Sequence, residues 1–245
     1  VVALSGDLED SARAIWFKKQ YPDRFFSVGI AEQDMIGTAA GLALAGKIPF
    51  ACSFSQFVTG KTLEQLRLAV CYQNLNVKIA GSHGGLSVGA DGATAESLEE
   101  FTHMRALPNM TVIVPCDAIE AKKATIASAD YPGPVFLRLG RNPVPMITKE
   151  SDPYEIGRAS VLRSGDDVTI VACGVMVTHA LQAAEALARE DIHARVINLH
   201  TIKPIDRAAL VAAAKETGAV VTAEEHTVIG GLGSAVGEVL VQAHP

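Results

Sequence analysis

Several things are missing from this chain, and each absence removes a class of protein. No apolar run reaches the ~18 residues that a membrane-spanning helix needs. No basic leader with an apolar centre marks a signal peptide. No Lys/Arg run offers a nucleic-acid surface, and the formal net charge is −6, so neither a membrane nor a nucleic acid is an expected partner. The four cysteines, Cys52, Cys71, Cys116 and Cys173, form no CxxC pair and have no His at metal-ligand spacing. They sit in apolar contexts such as FACSF and IVACGV, which reads as buried free thiols in a reducing, cytoplasmic setting and no metal site. Aromatic residues are only 5% of the chain, so aliphatic side chains must supply most of the core. An initiator Met is lacking too. The chain opens at Val1 inside an apolar run and ends at Pro245 after another, so further sequence is expected at both ends.

What is present is a supply of short apolar runs. The 245 residues are 49% hydrophobic and 20% charged, room for one large domain or two ordinary ones. VVALSG, FFSVGI, IPFACSF, NVKIAGS, MTVIVPC and PVFLRLG read as strands. Between them, residues 31–45, 62–73, 95–106 and 118–129 read as helices. Strand alternating with helix predicts a mainly parallel sheet covered on both faces. The proline-rich RNPVPMITKESDPYE then breaks the pattern and reads as a linker. DVTIVACGV, ARVINLH and AVVTAEE resume it, with helices over residues 179–189 and 206–217. The expected fold is α/β in two domains, residues 1–148 and 149–245, each with a mainly parallel sheet flanked by helices.

One carboxylate stands out. In SVGIAEQDMIGTAAGLALAG, Glu32 sits where a buried strand turns into an apolar helix. A charge there is costly unless it finds a partner or a proton. The plain alternative is a first-turn acid favoured by the helix macrodipole. Downstream, Phe54 and Phe57 follow a strand in SFSQFVTG, where core packing is the plain reading. The loop GSHGGLSVGADGATAE holds His83 and Asp91 eight residues apart, and its glycines permit close backbone approach to a ligand.

GIAEQ, SFSQF and the His83–Asp91 loop, in this order and spacing, resemble the C-terminal half of transketolases, and the resemblance covers nearly the whole chain. It implies an enzyme that moves a two-carbon ketol group from a ketose phosphate to an aldose phosphate, with thiamine diphosphate as cofactor. Glu32 would hydrogen-bond the pyrimidine N1′, favouring the imino tautomer whose N4′ removes the C2 proton. Phe54 and Phe57 would flank the pyrimidine, Phe57 stacking on it. SGDLEDS is similar to the loop that touches the thiazolium through an Asp and the substrate phosphate through a Ser, here Asp7 and Ser11. His83, with catalytic and substrate-binding roles, and Asp91 would bind the sugar. Arg141 in RLGRNP would pair with its phosphate, with Arg138 the competing choice. The divalent metal, Mg or Ca, and the diphosphate would be held by a partner half, an N-terminal subunit or domain. The assembly would be a homodimer of complete units or a heterotetramer.

The pattern also departs from the family. Ala95 stands where many transketolases have a second His. Gln33 follows the glutamate as in 1-deoxyxylulose-5-phosphate synthases, where transketolases usually have His. Glu9 and Asp10 add negative charge beside the expected phosphate contact. TAEEHTVIGGLGSAVGE resembles the family's C-terminal domain, in which His226 reads as structural. Its Gly231, Gly233 and Gly237 follow GxGxxxG, not the dinucleotide GxGxxG. The alternatives are a deoxyxylulose-phosphate synthase, the β subunit of a 2-oxo acid dehydrogenase, and a non-catalytic dimerisation or regulatory subunit.

Overall fold

Most of the apolar runs become strands buried on both faces, as a parallel sheet covered by helices requires; Phe25–Ser27 and Val220–Ala223, each at a sheet edge, stay partly exposed. The computed structural model describes residues 1–243. Its first half runs β1 (Val2–Ser5), α1 (Ile15–Gln20), β2 (Phe25–Ser27), α2 (Glu32–Leu44), β3 (Pro49–Phe54), α3 (Ser55–Thr59), α4 (Leu63–Gln65), β4 (Lys78–Ser82), α5 (Glu100–Ala106), β5 (Thr111–Ile113), α6 (Ala118–Asp130) and β6 (Val135–Arg138). The second half follows with β7 (Ser160–Arg163), β8 (Val168–Ala172), α7 (Met176–Ala188), β9 (Ala194–Asn198), β10 (Thr201–Lys203), α8 (Arg207–Thr217), β11 (Val220–Ala223) and α9 (Leu232–Ala243).

Two sheets result. The first has seven strands in the order β10-β5-β6-β4-β3-β1-β2, and the second four in the order β11-β8-β9-β7. Both are mainly parallel, as the sequence predicts. The exceptions are β10 against β5 and β7 against β9, which pair antiparallel. β10 comes from the second half of the chain yet extends the first half's sheet. The main apolar cluster crosses with it, from Leu4, Met35 and Ile79 through Val171 and Ile197 to Leu232 and Val236.

Two helices differ from expectation. The residue 95–106 helix starts only at Glu100, because the chain before it turns and then bridges to the loop after β4. Gly84 bridges to Ser97 there, and the Gly85 N–H donates to the Ser97 carbonyl at 2.9 Å. The residue 62–73 helix is α4 followed by a π turn over Leu66–Cys71. Lys78 is fully buried in β4. Its ammonium donates to the carbonyls of Tyr131 at 2.6 Å and Gly133 at 2.7 Å, tying the end of α6 to the sheet.

Candidate active site

In the first sheet the chain passes from β1 to β2 on one side and returns to β3 on the other. That reversal opens a crevice at the carboxyl ends of the strands, the usual place for a ligand in such a sheet. Four expected residues follow those ends: Asp7 after β1, Glu32 after β2, Phe54 closing β3 and His83 after β4.

Glu32 is the first residue of α2 and is 1% exposed. Ala31 (φ −142°, ψ 65°), neither helical nor extended, is the junction before the helix. Its Oε2 accepts from Lys61 Nζ at 2.6 Å, so the buried charge has a partner. Lys61 reaches in from a half-exposed position beyond α3. Gln33 Nε2 donates to the Lys61 carbonyl at 3.2 Å and holds that segment. Sequence reasoning missed Lys61. Among the described residues no other hydrogen-bond partner of the Glu32 carboxylate occurs.

The two Phe residues and His83 meet. Phe54 stacks with His83 at 3.8 Å between ring centroids and with Phe57 at 5.6 Å. Buried Val88 and Ala95 complete this apolar group, and Leu8 packs against it from the β1 loop. Ala95 therefore fills space beneath the loop. His83 is 8% exposed and adopts φ +57°. Its Nδ1 lies 3.1 Å from Ser82 Oγ. Burial pushes the imidazole pKa below its ordinary 6.5, Asp91 partly offsets this, and Arg141 reinforces it.

Asp91 joins two other expected residues, with Oδ2 2.8 Å from Arg141 Nε and 3.9 Å from His83 Nε2. Asp91 and Arg141 are about a third exposed, open to a polar ligand. Arg138 is not: it is 3% exposed and bound to Glu100 and Glu225. Asp7 is exposed at φ +65°, a left-handed conformation that Asp tolerates. Ser11 is exposed in the turns before α1 and makes no side-chain hydrogen bond to the other site residues. Glu9 pairs with Lys18 at 2.6 Å, which offsets its charge and holds its carboxyl below the usual range.

The glycines of the second half serve a different end. Glu224 caps α9, accepting from the N–H groups of Leu232 and Gly233. A Cβ at Gly231 would overlap the Glu224 carboxylate. The helix N-terminus that would face a pyrophosphate is thus filled by the protein's own acid. Among the described residues no cluster of three or more His, Cys, Asp or Glu could hold a metal ion, and no helix is long and apolar enough to cross a membrane.

Known proteins share this sequence and frame. The family described as transketolase, pyrimidine binding domain, matches residues 1–146, and the transketolase C-terminal domain matches residues 157–244. A 6-deoxy-6-sulfo-D-fructose transketolase subunit from a Clostridium species is 46% identical over 245 residues, all of this chain and 76% of the relative. An apulose-4-phosphate transketolase subunit from Phocaeicola vulgatus is 42% identical over 98% of this chain and 77% of its own. A solved split-gene transketolase, described as an inactive β4 tetramer, superimposes with a TM-score of 0.93 at 50% identity, covering 100% of this chain and 78% of that one. The chain belongs to the transketolase family, as a subunit of transketolase type.

Proposed function

We propose that this chain is the pyrimidine-binding half of a split thiamine-diphosphate-dependent transketolase. The observation that carries the reading is Glu32, a buried carboxylate at the sheet's reversal point with a single partner among the described residues. Phe54 at the end of β3 and Phe57 in α3 add a second fit to a planar ring. Bound there, the cofactor supplies a nucleophilic carbon at C2 of its thiazolium. Glu32 shares a proton at the pyrimidine N1′. Phe54 and Phe57 would fix the ring plane, with Phe57 the stacking partner, and Asp7 would contact the thiazolium. His83, held neutral by burial, can accept or donate a hydrogen bond to a sugar hydroxyl. Asp91 and Arg141 orient the sugar, with Arg141 and Ser11 on its phosphate.

The diphosphate and its Mg or Ca ion belong to a partner half, and two chains with two partners form the working assembly. The substrates are a ketose phosphate donor and an aldose phosphate acceptor, the pentose phosphates among them. Buried thiols at Cys52, Cys71, Cys116 and Cys173 suit a reducing cytoplasm.

The test is exchange of the cofactor's C2 proton with solvent, measured on the chain assembled with a diphosphate-binding half. Glu32→Gln should slow exchange by ~10²–10⁴-fold, the usual contribution of a placed acid–base group, with far-UV circular dichroism unchanged. Exchange at the wild-type rate would remove Glu32 from the mechanism.

A further inference from the structure

The loop carrying His83 and Asp91 cannot hold its own shape. It leaves β4 through Gly84 and Gly85, forms a 3-10 turn over Leu86–Asp91, and bends again at Gly89 and Gly92. Three of these glycines have φ between +63° and +89°: Gly85, Gly89 and Gly92 at +80°. Glycine-rich backbone is the most costly to order, so some other part of the molecule must fix this loop.

The fastening is at Ser87, midway between His83 and Asp91. The Ser87 N–H donates to Glu225 Oε1, and its hydroxyl donates to Glu225 Oε2 at 3.2 Å. From the opposite side of the residue, Asn142 Nδ2 donates to the Ser87 carbonyl at 2.6 Å. Glu225 lies just past β11, in the half of the chain that supplies none of the expected site residues. It is itself held. Arg138 Nη2 donates to the Glu225 carbonyl at 3.1 Å and stands 3.5 Å from its carboxylate. Arg138 Nε donates to Glu100 Oε1 at 3.0 Å. The side chains of Arg138, Glu100 and Glu225 are 3%, 0% and 10% exposed.

Two carboxylates and one guanidinium make a poor stabilising device, because the desolvation cost of buried ions is rarely recovered. Among the described residues, Glu100 Oε2 even lacks a hydrogen-bond partner. Such a cluster is better suited to specifying one arrangement. The loop sequence is shaped around it: a Cβ at Gly84 would overlap Arg138, and one at Gly85 would overlap both Arg138 and Glu225.

We propose that Glu225 is a positioning residue that fixes the substrate loop from the C-terminal half and so sets where His83 and Asp91 stand. The kinetic part of this inference rests on the transketolase reading; the structural part does not.

The deciding experiment is hydrogen–deuterium exchange on the full chain with Glu225→Gln, followed by kinetics of the assembled enzyme. Losing a charge-assisted bond should speed exchange across residues 84–92 by about tenfold or more, leaving peptides from α2 and α6 unchanged. Ser87→Ala, which removes only the hydroxyl contact, should act in the same direction by about twofold to fivefold and serves if the first variant fails to fold. In the assembly, Glu225→Gln should raise KM for the sugar phosphate about tenfold, with the cofactor's C2 proton exchange untouched. Unchanged exchange over 84–92, or an increase spread evenly along the chain, overturns the proposal, as does a loosened loop with an unaltered KM. A wild-type assembly that transfers no ketol group would count against the transketolase reading alone, since the exchange data still decide whether Glu225 holds the loop.

Discussion

Lys61 supplies what a buried carboxylate needs, and it does so from outside the core. Removing it leaves the buried Glu32 carboxylate without its partner, while removing both groups leaves no ion pair to satisfy. Lys61→Met should therefore destabilise the chain by about 1–2 kcal/mol, a modest figure because the ammonium is half exposed. Adding Glu32→Gln should restore part of that loss, and a double-mutant cycle in urea should give a coupling of about 1 kcal/mol. Additive effects would show that the 2.6 Å contact carries no energy. Glu32 could be read from its place between a strand and a small-residue helix. Lys61 could not, because it lies 29 residues away and its direction depends on how α3 leaves β3. Arg138 and Arg141 show the same limit. Three residues apart in sequence, one is buried with two acids and the other faces Asp91 at the rim. His83 offers a direct check on burial. Its folded pKa lies below its ordinary 6.5, so the unfolded chain binds more protons between the two values. The stability it contributes is full above about pH 6.5 and is lost as pH falls through the folded pKa. An NMR titration of its ring protons should show a midpoint below 6.5, and Asp91→Asn should lower it further. A midpoint above 6.5 would mean that Asp91 outweighs burial.

Elements were legible where periodicity and end signals agreed. α8 is the clear case: Asp206 caps it by accepting from the Ala209 N–H at 3.0 Å, and Gly218 ends it at φ +69°. The other Asp206 oxygen accepts from the Ala159 N–H at 2.9 Å, tying the helix start to the segment before β7. Asp206→Ala should cost about 1–2 kcal/mol, the upper end if the Ala159 contact contributes, measured by denaturant midpoint at constant m. Asp206→Asn, whose amide has one accepting oxygen, should recover the cap but not the Ala159 bond. A change near zero would mean that water replaces both bonds. β7 and β10 escaped notice for physical reasons. β7 lies at a sheet edge, half-buried with no apolar alternation, and β10 has only three residues before Pro204. Strands this short are defined by their partners, not by their own side chains. Residues 95–99 failed in the opposite sense, since their helix-like composition yields to pairing with the loop after β4.

At the scale of the whole molecule, the proline-rich linker joins the two sheets, and the contacts across it argue that they unfold together. β10 completes the first sheet. Lys203 Nζ donates to the carbonyls of Arg105 and Leu107, Arg105 donates to the carbonyls of Gly230 and Gly231, and Asn198 donates to buried Glu120 at 2.8 Å. His226 stacks on Phe101 at 4.5 Å and accepts from its N–H at 3.1 Å. These groups are buried or half-buried, so separating the halves would expose polar atoms already matched to each other, together with the apolar cluster that spans them. The full chain should therefore unfold in a single calorimetric transition, with van't Hoff and calorimetric enthalpies in agreement. A fragment of residues 1–150 would leave the β5 edge unpaired, and unpaired edges recruit other chains. It should aggregate or melt without cooperativity, and adding residues 151–245 in trans should rescue it. A fragment that melts cooperatively near the full-chain temperature would show that the seam is a late contact between independent domains. Glu225 would then press on the substrate loop through an interface free to open. A single transition would instead make loop position and global stability parts of one cooperative unit.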